Sequence, residues 1–277
     1  MAAPLGLQDL SADAVRALLQ TRTLGWALHI LEETDSTNTA ALALAQQGAG
    51  HGTVLAADRQ TAGRGRLGRH WFSPPGENLY CSVILRRTPP GDHRWDDLSW
   101  LPLISAVAAA HAIRKVAGLH PSLKWPNDIL VGERKVGGIL CEGGGASSQN
   151  VYVVVGIGIN VNTRRESFPE DLRSLATSLR SATDRQVNRA ALLAGWLAEL
   201  EARSDALLAG RLKELGLEYE ALCSTLGRRV RVNLAGGQVV EGRADSLGPD
   251  GSLRVSPEAE PAGTLVEIRV GDVVHLR

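Results

Sequence analysis

The chain has 277 residues, 44% apolar and 22% charged, and its 30 basic and 30 acidic side chains cancel to zero net charge. That length suits one large domain plus a small one, and a pI near 7.1 argues against a general nucleic-acid-binding face. No apolar run reaches the roughly 18–20 residues that span a bilayer, and residues 1–10 lack the basic and apolar regions of a secretory leader.

Residues 11–20 open on a capping Ser11 and then space their apolar positions as a helix does. A strand is expected over 27–33, after which Asp35-Ser36 starts an Ala- and Leu-rich helix to about Gln47. Residues 53–58 read as a strand that runs into Arg59-Gln-Thr-Ala-Gly-Arg-Gly-Arg-Leu-Gly-Arg69. Another strand, 79–85, is entered from the turn-rich 73–78, and a long Ala-rich helix follows over 97–116. Four strands separated by turn signals come next, at 122–125, 129–131, 136–142 and 151–159. The last is apolar almost throughout, which predicts burial on both faces. Residues 184–226 give one or two amphipathic helices, broken by glycines near 208–217.

After Gly227 the texture changes to short alternating strands at 229–233, 238–246, 252–256 and 264–270, each bounded by Gly, Pro or Asp. The expected architecture is α+β: a mixed β-sheet domain flanked by helices over 1–226, and a small C-terminal β-barrel over 227–277. About 25 residues precede the first strand, too few for a helix-turn-helix module.

Cys81, Cys141 and Cys223 are odd in number, far apart and outside any CxxC pattern. Disulfides and a zinc site are disfavoured, and a reducing cytoplasm fits best. Cys81 and Cys141 read as small core hydrophobes. The seven histidines are scattered and are assigned no chemistry.

Residues 59–69 hold four arginines and three glycines with no acid. Guanidinium groups beside flexible backbone make an anion clamp suited to phosphate or carboxylate. Asp35-Ser36-Thr37-Asn38 sits at a helix start, where it either caps the helix or holds a polar ligand head. Lys124-Trp-Pro-Asn-Asp128 is costly in an ordinary strand because Pro126 removes a ladder donor. Asn127 and Asp128 supply oxygens of the kind that hold Mg²⁺ together with phosphate. Lys135 opens an apolar strand, and Gly137-Gly138 behind it marks close approach by a ligand or another backbone. Gly156-Ile-Gly-Ile-Asn160 lacks the third glycine of a dinucleotide fingerprint, since Val161 stands there; a Rossmann reading is rejected.

In this order and spacing, Gly63-Arg-Gly-Arg66 with Gly68-Arg69 and Trp71, Lys124-Trp-Pro-Asn-Asp128, Lys135-Val-Gly-Gly-Ile-Leu140 and Gly156-Ile-Gly-Ile-Asn160 resemble the motifs of biotin protein ligases, from about residue 27 to the end. The resemblance implies an ATP-dependent ligase that makes biotinyl-5′-AMP and passes biotin to a lysine of a biotin carboxyl carrier protein. It gives the C-terminal barrel an SH3-like form. Ser36, Thr37, Asn38, Gln60, Arg64, Gly65, Arg66 and Lys135 match biotin-binding positions. Arg64, Arg66, Arg69, Asn127, Lys135 and Asn160 match ATP-binding ones, with Lys135 and Arg66 catalytic and Asp128 a Mg²⁺ ligand. The expected type is monofunctional, cytoplasmic, without DNA or membrane as partner, and open to forming a homodimer. A lipoate–protein ligase of the same fold and a non-enzymatic biotin sensor are the rivals. The position where some relatives stack adenine on a tryptophan holds Leu175 here.

Overall fold

A computed structural model describes residues 9–86, 97–144, 151–261 and 263–276. Residues 1–8, on which the leader reading partly rests, lie outside them. The chain runs α1 (Ala12–Arg16), β1 (Leu28–Thr34), α2 (Thr37–Gln46), β2 (Val54–Gln60), β3 (Leu79–Arg86), α3 (Leu101–Ala117), β4 (Ser122–Lys124), β5 (Asp128–Val131), β6 (Arg134–Gly144) and β7 (Tyr152–Ile159). Then follow α4 (Leu179–Thr183), α5 (Arg189–Leu208), α6 (Leu212–Leu222), β8 (Arg229–Asn233), β9 (Val239–Leu247), β10 (Leu253–Pro257), β11 (Val266–Ile268) and β12 (Asp272–His275).

The first seven strands form one mixed sheet in the order β1-β2-β3-β7-β6-β5-β4, in which β1 and β2 are parallel and the other pairs antiparallel. The apolar β7 lies mid-sheet between β3 and β6 and is buried nearly throughout. Strand periodicity divides the side chains between two faces. Val54, Ala56, Cys81, Val83, Val153 and Val155 join the core under α3 and α5. Leu55, Ile84, Tyr152 and Val154 pack instead with Ala41 and Ala45 of α2. The short α2 covers only part of its face, and the uncovered remainder is where the cleft lies.

Arg189, at the start of α5, is fully buried and ion-paired to Asp9 and Asp58 at 2.8 Å each. It ties the N-terminal segment and the end of β2 to the helical layer. Such a pair specifies position well, and its partners shield a charge that would be costly alone.

The last five strands form a separate antiparallel sheet, order β11-β10-β9-β8-β12. Two indoles lock it to the first unit: Trp100 Nε1 donates to Pro249 O at 2.8 Å and Trp125 Nε1 to Gly251 O at 3.0 Å. A side chain at Gly251 would collide with Leu103 at 2.8 Å, and its φ of +76° also favours glycine. The structure departs from the sequence reading in three places. The segment 264–270 forms only the three-residue β11, and an unanticipated β12 follows the turn at Gly271. The short α4 was not anticipated either.

Candidate active site

A cleft of about 820 Å³ opens on the uncovered face of the large sheet and reaches β12. Its floor is made of glycines. Positions 138, 156 and 158 fall on the same face as Tyr152 and Val154, and their registers put Gly156 between Ser82 and Leu140, and Gly158 between Tyr80 and Gly138. A Cβ on Gly156 would meet Asn38 Oδ1 at 2.0 Å, and one on Gly158 would meet the Trp71 ring at 2.7 Å. The glycine pattern that invites a dinucleotide reading thus serves another purpose. It clears the sheet so that Asn38 and Trp71 can lie directly on backbone.

The N-terminus of α2 borders one end. Ser36 holds the N-cap position but makes no side-chain cap bond, and Asp35 Oδ1 accepts from Ser36 N at 2.6 Å. The Ser36 hydroxyl lines the cleft. Gln60 Oε1 accepts from Thr37 N at 2.9 Å and lies 3.2 Å from Thr37 Oγ1, while Gln60 Nε2 donates to Ser73 Oγ at 3.0 Å. The Ser82 hydroxyl sits 2.9 Å from Thr37 Oγ1 and 2.6 Å from Asn38 Oδ1. Asn38 Nδ2 donates to Leu140 O at 3.1 Å and to Glu142 Oε2 at 2.8 Å. Both amide hydrogens and the carbonyl of Asn38 are therefore engaged by protein groups. Asn38 braces this polar nest, and Ser36, Thr37 and Gln60 face its opening.

The arginine-glycine segment folds as a small hairpin, closed by an Arg64–His70 bridge and by Gly65 N donating to Arg69 O at 2.7 Å. Its tip places Leu67 at φ +56° and Gly68 at +72°. Gly63 is required for a different reason, since a Cβ there would meet Ser73 Oγ and Trp71 O at 2.6 Å. Three arginines pin the hairpin. Arg64 pairs with Glu142 at 2.7 Å, and Arg69 pairs with both oxygens of Asp272 in β12. Arg66 donates to Asn127 Oδ1 at 3.2 Å and to Gly271 O at 3.3 Å, so it bridges both units. Burial lowers the Arg66 pKa, whereas its hydrogen bonds to Asp272 raise that of Arg69.

Lys135 stands at the centre. A register shift between β5 and β6 brings it opposite Leu130, and its backbone bonds Leu175 O and Thr177 N at 2.9 Å. The ammonium lies 2.6 Å from Asp128 Oδ1 and 5.3 Å from the Trp71 ring centroid, a cation–π distance. Gly138 makes room for its stem, since a Cβ at that position would stand 3.3 Å from Lys135 Cε. Asn127 Nδ2 donates to Ile139 O at 2.8 Å. Asn160 is buried and donates to Thr177 O at 3.0 Å, organising the turn behind Lys135. Phe168, Leu172, Leu175 and Ala176 supply an apolar wall beside Trp71.

Residues 30–160 match the biotin/lipoate A/B protein ligase family. The chain is 37% identical over 258 residues to a biotin–[acetyl-CoA-carboxylase] ligase of Mycobacterium tuberculosis, covering 91% of each. The chain belongs to the biotin protein ligase family. A bifunctional ligase/repressor of Bacillus subtilis is 34% identical over 244 residues, 88% of this chain and 74% of that one. The structure of an Aquifex aeolicus biotin protein ligase in complex with biotin and ATP superimposes with a TM-score of 0.75 at 32% identity, covering 91% of this chain and 99% of that one.

For a biotin protein ligase, the sequence motifs converge well. Of the residues singled out, Ser36, Thr37, Asn38, Gln60, Arg64, Gly65, Arg66, Arg69, Asn127, Asp128, Lys135 and Asn160 all line the one cleft. Sequence reasoning gave no role to Trp71, Ser82 or Glu142, although Trp71 within the arginine-rich motif was the available signal. Among the described residues, no group of three or more His, Cys, Asp or Glu could hold a metal. The oxygens of Asp128 and Asn127 suit Mg²⁺ that arrives on phosphate and do not form a protein-only cage.

Proposed function

We propose that this ligase joins the carboxylate of biotin to the α-phosphate of ATP, releases pyrophosphate, and passes the biotinyl group to a lysine of a biotin carboxyl carrier domain. The observation that carries the site assignment is the position of Lys135. Its ammonium lies between a polar nest and an apolar wall, held by a carboxylate and an indole face.

The chemistry brings two anions together. Ser36, Thr37 and Gln60 hold the polar ring of biotin, with Asn38 fixed behind them. That leaves the biotin carboxylate directed at Lys135, whose ammonium exchanges Asp128 for the incoming anion. Attack on phosphorus builds charge on its equatorial oxygens, which Lys135 and Arg66 neutralise, and Asn127 orients Arg66. Arg64, Gly65 and Arg69 hold the hairpin over the reacting groups and keep water from the mixed anhydride. Phe168, Leu172 and Leu175 form a face for adenine, with Asn160 setting the turn that carries it. Asp128 would hold a Mg²⁺ that arrives with the nucleotide, which would supply further neutralising charge. Asp128, once released by Lys135, is also placed to accept a proton from the target lysine.

Residues 1–226 are read as the catalytic domain and 227–277 as an SH3-like barrel closing over the nucleotide. The three free cysteines fit a cytoplasmic enzyme. The edge strand β1 offers a surface for a homodimer, which sedimentation would measure. Parallel assays of biotin-dependent and lipoate-dependent pyrophosphate release test the reading. Release with biotin alone is expected; release with lipoate alone would assign the other ligase class, and neither would leave a sensor.

A further inference from the structure

Arginine side chains tie the hairpin down at two ends. Toward the C-terminal sheet, Arg66 and Arg69 reach Asn127, Gly271 O and Asp272. Toward α2, Arg64 Nη2 donates to Glu142 Oε2 at 2.7 Å. That same oxygen accepts from Asn38 Nδ2 at 2.8 Å. One carboxylate oxygen of β6 therefore holds both the hairpin and the polar nest. Asn38 and Arg64 line the cleft and Glu142 stands behind them, so it acts on a ligand only through those two side chains.

The strand explains how one residue reaches both. Leu140 pairs with Gly156 and Glu142 with Val154, so position 142 falls on the sheet face that α2 covers. Leu140 O and Glu142 Oε2 both accept from the Asn38 amide, at 3.1 Å and 2.8 Å. An ionised carboxylate is acceptor-only and can take two donors on one oxygen. Its charge has a cost in this place. A carboxylate beside a site for two anions repels them unless a cation stays paired with it, and Arg64 is that cation. Both side chains keep contact with water, 25% exposed for Glu142 and 43% for Arg64, so the pair can part without stranding a buried charge.

The contacts continue to the mouth of the nest. Gln60 Oε1 accepts from Thr37 N, Thr37 Oγ1 lies 2.9 Å from Ser82 Oγ, and Ser82 Oγ lies 2.6 Å from Asn38 Oδ1, which leads on to Glu142 and Arg64. We propose that Glu142 is a positioning residue that couples filling of the polar nest to closing of the hairpin. This deepens the adenylation reading above and rests on it. A ring seated against Ser36, Thr37 and Gln60 immobilises the first turn of α2. Asn38, fixed in turn, holds Glu142 in the rotamer that meets Arg64, and the Arg64 end of the hairpin stays down. With the nest empty the network loses a partner, and that end opens more readily to admit ligand. A contiguous set of contacts is the route, and measured coupling is its proof.

Two variants of the full chain separate the links. Glu142→Gln keeps an acceptor for Asn38 and removes the charge that holds Arg64, whereas Glu142→Leu removes both. Trypsin cleaves after arginine, so cleavage within residues 59–69, located by mass spectrometry, reports hairpin opening. Saturating biotin should slow that cleavage at least about tenfold in the wild type. In Glu142→Gln it should slow cleavage less than about twofold, although biotin still binds within about threefold of wild-type affinity, and biotinyl-5′-AMP should leave about tenfold faster, the scale of one charged hydrogen bond. Glu142→Leu should in addition raise the biotin dissociation constant at least about tenfold. In an Arg64→Gln background, Glu142→Gln should add less than about twofold to adenylate release, because its partner is already gone. A residue that only stabilised the fold would not split affinity from release in this way. Equal protection by saturating biotin in the wild type and in folded Glu142→Gln would overturn the proposal, as would a full tenfold effect of Glu142→Gln in the Arg64→Gln background. A folded wild-type chain that binds no biotin would instead sink the underlying adenylation reading.

Discussion

The Lys135 ammonium and Asp128 Oδ1 lie 2.6 Å apart at the centre of the cleft, both partly accessible. The pair gives Lys135 a resting partner that an incoming carboxylate or phosphate can displace. Lys135→Met should lower biotin adenylation about 10²–10³-fold, the cost of losing one preorganised charge donor. Thermal stability should change little, because the pair is not deeply buried. Pyrophosphate exchange alongside thermal unfolding checks both, and near-normal exchange would contradict the role.

Arg66 joins the hairpin to Asn127 and to the Gly271 carbonyl of the C-terminal sheet at once. Arg66→Gly removes both ties. The expected result is faster escape or hydrolysis of biotinyl-5′-AMP, read as adenylate release from purified enzyme. A release rate equal to wild type would count against a closing hairpin.

Gly156 is predicted to tolerate no side chain. A Cβ would sit 2.0 Å from Asn38 Oδ1, and Asn38 is held on three sides by Ser82, Leu140 and Glu142. Gly156→Ala should cost about 1–3 kcal/mol by overpacking and raise the biotin dissociation constant at least about tenfold as the nest is displaced. Denaturant unfolding and biotin titration measure the two effects. An unperturbed titration would show that Asn38 does not brace the biotin end.

His275 supplies a pH signature. Burial, reinforced by Lys124 and Arg228, lowers its pKa to about 4. Between pH 6.5 and about 4 the unfolded chain takes up a proton that the folded chain refuses. Stability is therefore complete above pH 6.5, falls as pH drops toward 4, and has no further contribution from this group below that. The loss should be of the order of 1–3 kcal/mol. His275→Gln should flatten this part of the stability profile, and an identical slope in the variant would contradict the assignment.

Much of this was legible in the chain because local chemistry and tertiary role agree. The apolar run of β7 reads as buried, and it lies mid-sheet. Gly137-Gly138 reads as close approach, and Gly137 faces the Gly158 carbonyl while Gly138 carries the Lys135 stem. What stayed hidden depends on distant partners. Asp272 looks like a turn residue until β12 brings it to Arg69, 203 positions away. Nothing in the neighbourhood of Asn38 along the chain shows that Ser82, Leu140 and Glu142 will hold its side chain in place at the cleft. Arg228 resembles any solvated cation until the link from α6 lays it beside the cleft. The fourth C-terminal segment, 264–270, shortens to β11 (Val266–Ile268), and the chain then turns at Gly271 into β12.

The central claim is tested most directly by incubating the purified protein with labelled biotin, ATP, Mg²⁺ and a biotin carboxyl carrier domain, then locating the label. The account predicts label on one carrier lysine, dependent on ATP and abolished by Lys135→Met. Absence of label on the carrier with the folded wild-type chain would contradict it.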